Sequence, residues 1–95
     1  MILDYDTFIL SLKNTHPPEN LSDHQLSMWY ALTNNWEDAH RLIQSINDEI
    51  AAWIHAYLHR LKGDINNANY WYKRANKNSI NESLENEAKK IISSL

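Results

Sequence analysis

The sequence predicts an all-α domain of about six antiparallel helices, arranged as stacked αα-hairpins. Three observations predict it. One Gly and two Pro in 95 residues leave too few breakers for strands joined by tight turns, and favour helices with short corners. At Lys62-Gly63-Asp64, Gly suits the left-handed backbone that ends a helix and Asp suits the cap that starts the next. With almost no loop between them, the two helices must fold back on each other. Finally, Leu84, Ala88, Ile91 and Leu95 recur at spacings of 4, 3 and 4, the signature of one helix face.

Each element has its own signals. A first helix over about Asp4 to Lys13 presents Phe8, Ile9 and Leu12, and is ended by Asn14-Thr15-His16-Pro17-Pro18, because Pro17 disfavours helix in His16 and neither Pro has an amide donor. A second helix opens with Ser22 and Gln25 as a capping box and Leu21 and Leu26 as a hydrophobic staple, then runs through Met28, Trp29 and Leu32 to Thr33-Asn34. The third takes Asn35 as its cap, sets Glu37 and Asp38 in the positive first turn, and presents Ala39, Ile43 and Ile46. A fourth starts at Asn47-Asp48-Glu49 and ends at Gly63; a fifth spans Asp64 to about Asn76, with Ile65, Ala68, Trp71, Tyr72 and Ala75 as its buried arc. The sixth takes Ser79 as its cap, with Glu82 three residues on.

Ninety-five residues suffice for one core, so residues 1–95 read as a single domain with a linker near 14–20 and a central hairpin over 48–77. Cysteine is absent, which removes disulfides and thiolate chemistry and suits a reducing compartment. The start, MILDYDTFILSLK, lacks the basic region and continuous apolar run of a secretory signal, and no stretch is long enough to span a bilayer, so the expected location is cytoplasmic. A net charge of −3 disfavours general nucleic-acid binding. The charge is uneven: residues 60–77 hold five basic residues against one acid, a local +4 that leaves −7 for the remainder.

Gly63, Ala68, Tyr72 and Ala75 together resemble the tetratricopeptide repeat, in which a small residue closes the first helix and the second carries A-x-x-x-[FY]-x-x-A. Ala56 takes the small position of the preceding helix. A weaker echo lies 29 residues upstream, where Asn34-Asn35-Trp36 parallels Gly63-Asp64-Ile65 and Ala39 parallels Ala68. The sequence departs from the family in lacking its Trp and Leu-Gly pair, in Ile80 replacing the usual Pro, and in the shorter offset. The run from Trp53 to Ala75 is also similar to a family of small uncharacterised bacterial proteins. The first resemblance implies a right-handed superhelical layer that binds polypeptide; the second implies no activity.

Two constellations could carry chemistry. On the fourth helix His55, His59 and Lys62 share a wedge about 60° wide at 100° per residue. His40 could supply a third metal ligand and Glu37 or Asp38 a carboxylate. Against a zinc hydrolase, Ala56 stands where H-E-x-x-H requires Glu, and Lys62 opposes a cation. On the fifth helix Tyr70 projects away from the core in line with Asn67 and Arg74, and Tyr and Arg dominate interface hot spots. The acid pairs sit at helix starts, where the macrodipole explains them, and one Gly cannot build a phosphate loop.

These readings lead to a non-catalytic protein- or peptide-binding helical module with no cofactor. Tyr57, His59 and Arg60 are expected to shape the floor of a groove whose polar contacts come from Asn67, Tyr70 and Arg74. Uncapped hairpins expose a stacking surface, so a homo-oligomer is also expected. The alternative is a small metal-dependent hydrolase using His40, His55 and His59.

Overall fold

The structure is a computed structural model that describes residues 4–78 and 81–95. Among them are six helices and no strand: α1 Tyr5–Ser11, α2 Asp23–Leu32, α3 Trp36–Ile43, α4 Glu49–Leu61, α5 Ile65–Arg74 and α6 Leu84–Ser93. The all-α class is therefore as expected, with the anticipated boundaries off by one or two residues for α1, α2, α4 and α5, by three at the end of α3 and by four at the start of α6. None of the described helices is long and apolar enough to cross a membrane.

Most helix starts satisfy their free amides through a side chain. Asp4, Asp48 and Ser83 each accept from the N–H three residues on, at 2.7, 2.7 and 3.0 Å. Ser22 Oγ accepts from the Gln25 N–H at 3.1 Å while Gln25 Oε1 accepts from the Ser22 N–H at 3.0 Å, the reciprocal box the sequence announces. Two expected caps differ. Asn35 makes no cap bond, because its amide donates back to the Thr33 carbonyl and hydroxyl. The expected cap Ser79 lies outside the described residues, and α6 begins later, at Leu84, with Ser83 as its cap.

The corners explain how the helices reverse. Asn34, Gly63 and Asn76 adopt left-handed φ values of 62°, 76° and 57°. In each case the next N–H reaches five residues back: Asn35 to Tyr30 O at 2.9 Å, Asp64 to His59 O at 2.9 Å, and Lys77 to Tyr72 O at 2.8 Å. This is the bond that ties off orphan carbonyls at a helix end. The Gly63 reversal is thus present, and α4 and α5 pack closely along it.

Helix α4 packs against α2, α3, α5 and α6 and is the centre of the molecule. Every side chain from Ala51 to Leu58 is buried. Around it lie Phe8 of α1, Met28 and Trp29 of α2, Ala39 and Ile43 of α3, Ala68 and Tyr72 of α5, and Ile91 and Ile92 of α6. Each of the large apolar side chains contributes about 1.5–3 kcal/mol through its removal from water. Ile65 departs from expectation: it is 53% exposed. It opens α5 beside the Gly63 corner, where Leu61 at the end of α4 is exposed as well.

Candidate functional site

Two faces of α4 carry polar groups, and they differ in how those groups are satisfied. Toward α6, Arg60 and Trp53 meet Glu87, a carboxylate that is 0% exposed. Glu87 Oε1 accepts from Arg60 Nη1 at 2.8 Å; its Oε2 accepts from Trp53 Nε1 at 3.1 Å and from the Tyr72 hydroxyl at 2.6 Å. Arg60 also donates to the Glu82 carbonyl. Burial and the donated hydrogen bond push the Tyr72 phenol far above its usual range. The network is closed.

Toward α3, the helical repeat brings His55 and His59 onto one side of α4, and α3 places His40 opposite. The His55 and His59 rings stack with centroids 5.0 Å apart. His40 Nε2 and His55 Nε2 are 3.1 Å apart and share one hydrogen bond. Taking one nitrogen from each ring, the three fall within 4.8 Å of one another. Trp36 stacks on His40 at 4.8 Å and Trp71 on His55 at 3.8 Å, so the imidazoles lie between two indoles. Lys62 and Arg74 then sit over the rings of Trp36 and Trp71, at 4.5 and 5.1 Å from the ring centroids. Beside the cluster, the Asp64 carboxylate lies 3.9 Å from His59 Nδ1.

Burial, with the neighbouring imidazoles of His40 and His59, holds His55 down to about 4. Burial likewise lowers His59, helped by His40 and opposed by the Asp64 charge. The His55 imidazole is therefore neutral at pH 7, with one nitrogen lone pair free to accept or to ligate. The carboxylates expected to join it do not. Asp38 is paired with Arg41 at 2.7 Å, and Glu37 lies exposed outside the cluster.

The groove residues expected from the sequence divide between separate places. Tyr57 is only 2% exposed, and its phenol is pushed up to about 12 by burial and by the Glu87 charge. It borders a cleft of about 280 Å³ with Tyr5, Ile9, Leu12 and Ala88, beside α1 and α6 and away from α5. Arg60 is held by Glu87, and His59 belongs to the imidazole cluster. These three do not form one floor. Helical period predicted their positions around α4, but it could not say which neighbour each would meet.

The other three do share a face. Tyr70 is 53% exposed, its hydroxyl accepts from Arg74 Nη1 at 3.2 Å, and the guanidinium lies 5.8 Å from its ring. Asn67 Nδ2 donates to Asp64 Oδ2 at 2.6 Å one turn away. Arg74 has no carboxylate partner among the described residues. It borders a cleft of about 210 Å³ whose apolar walls are Ile46, Ala52 and Trp71 and whose polar wall is Asn47, Asp48 and Glu49.

Sequence reasoning did not identify Trp36, Trp71 and Asp64 as walls of the imidazole cluster, nor Glu87 as a buried anchor. One signal for Glu87 was available: it sits three residues after Leu84 and four before Ile91, within the apolar stripe. Comparison with protein-family models, with curated proteins and with solved structures finds no match to this chain.

Proposed function

We propose that this chain is a non-catalytic, tetratricopeptide-like binding module that docks an acidic segment of a protein partner on the outward side of α5. The observation that carries the reading is Arg74. Its guanidinium is without a salt-bridged carboxylate among the described residues and is aligned by Tyr70 and Trp71 on the exposed side of α5. Arg, Tyr and Trp in contact are the residue types that dominate interface energetics, and a pre-positioned guanidinium loses little freedom on meeting a carboxylate. The module would act in the cytoplasm.

The hydrolase reading on His40, His55 and His59 is weaker. Indoles wall the imidazoles on both sides, and the set contains no carboxylate to serve as a base.

The test is capture from the native cell on immobilised wild-type chain and on Arg74→Glu and Tyr70→Ala chains, with nuclease treatment. The expected result is a polypeptide retained by wild type, reduced about tenfold or more by Arg74→Glu, and weakened by added salt. Retention that is equal on all three baits overturns the proposal. So does a bound species that nuclease releases, which would indicate nucleic acid.

A further inference from the structure

We infer that His40, His55 and His59 form a binding site for one late first-row divalent metal ion of the zinc class, held between α3 and α4. This goes beyond the docking function and does not depend on it.

Geometry is the first argument. Three imidazoles from two helices present nitrogens within 4.8 Å, and the His40–His55 pair is already at 3.1 Å. In a tetrahedral zinc site with Zn–N bonds of about 2.05 Å, neighbouring nitrogens stand about 3.3 Å apart. One pair is therefore at ligand spacing, and the widest must close by about 1.5 Å, within reach of ring rotation. The turn of α4 sets two of the ligands on one side, and the packing of α3 on α4 supplies the third.

Donor chemistry is the second. Imidazole suits zinc, copper, nickel and cobalt, whereas magnesium and calcium require several oxygen ligands and soft-metal sites require thiolates. Cysteine is absent from the whole sequence, and no carboxylate belongs to the set. The His40–His55 hydrogen bond is the single bond the rings share, an ion would replace it, and His55 is 5% exposed, so little water competes for the site.

The surroundings are the third. Asp64 faces the Nδ1 of His59, the placement from which a carboxylate orients a ligating imidazole through its other nitrogen. The two cations of the stack, Lys62 and Arg74, rest on the indoles and not among the imidazoles. His40 and His59 are half-buried, so the fourth position faces the solvent side and takes water. An ion bound there ties the α2–α3 hairpin to the α4–α5 hairpin.

The experiment uses the full chain, freed of metal with chelator and titrated with CoCl2 and then ZnCl2. One Co2+ per chain is expected, giving the intense visible bands of four-coordinate cobalt, quenching tryptophan fluorescence, and being displaced by Zn2+. His40→Ala and His59→Ala, at half-exposed positions, should each weaken uptake roughly 100-fold. Asp64→Asn keeps a capping residue and should weaken it about tenfold with unchanged helix content. His16→Ala and His24→Ala should change nothing. The inference is overturned if the folded wild type takes up no cobalt or zinc. It is equally overturned if His40→Ala and His59→Ala bind as wild type does, or if the His16 or His24 variant is the one that loses binding.

Discussion

The two polar faces of α4 make opposite use of buried polarity. Toward α6, one carboxylate accepts three hydrogen bonds, from Arg60, Trp53 and Tyr72. Toward α3, three imidazoles share one hydrogen bond among themselves, and burial holds His55 neutral where it enters the core. A buried charge survives only when its partners are complete, so the Glu87 face is a fastener. An imidazole cluster with lone pairs left over is stable without a ligand and can still accept one. The difference separates the part of the molecule that holds the fold from the part that can bind.

The comparison breaks most sharply at Glu87. Glu87→Ala leaves Arg60 charged without its carboxylate and removes the acceptor of two further donors, an expected loss of about 3–5 kcal/mol in urea denaturation. His55→Ala, on the other face, removes packing on Trp71 but orphans no charge. It should cost clearly less, and equal costs would erase the distinction.

A second effect sharpens it. His55 titrates near 4 when folded against about 6.5 when unfolded, so between those values the unfolded chain binds the extra proton. Stability must therefore fall as pH drops from 6.5 to 4, and it is unaffected by this group above 6.5. With chelator present, the expected loss from pH 7 to 4.5 is about 2 kcal/mol. Replacing His55 with Asn should abolish most of it, and a pH dependence that survives that change would mean other groups dominate.

The corner gives a smaller effect. Gly63→Ala meets no atom within 4 Å, so its cost, about 1 kcal/mol, comes from the left-handed φ alone. Gly63→Asn should recover part of it, since Asn34 already holds the same conformation in the other hairpin. The smallest change is Arg74→Ala, a few tenths of a kcal/mol from the lost Tyr70 pairing on an exposed helix surface. A large loss of stability there would mean Arg74 serves the fold and not a partner.

What the sequence made legible was what depends on local chemistry. The Ser22–Gln25 box, the Asp64 cap and the Gly63 reversal are decided within four residues, and each appears as read. The His55–His59 face follows from helical period alone. Illegible features required knowing which surfaces meet. Glu87 reads as solvated until α6 is laid on α4; Tyr57 and Arg60 read as groove residues until α1 and α6 cover that side. Ile65 reads as core by type, yet it lies exposed beside the Gly63 corner. Self-association through an exposed end of the stack remains open to light scattering, where a monomer at high concentration counts against it.

The matched bends at Asn34 and Gly63 have one more consequence. The main chain passes through both in the same twist, with the same backward amide contact, and an alanine buried five residues on in each case. The stretch from one bend to the next is thus a cassette with interchangeable joints. A second copy spliced in at these joints would ask the main chain for no new shape.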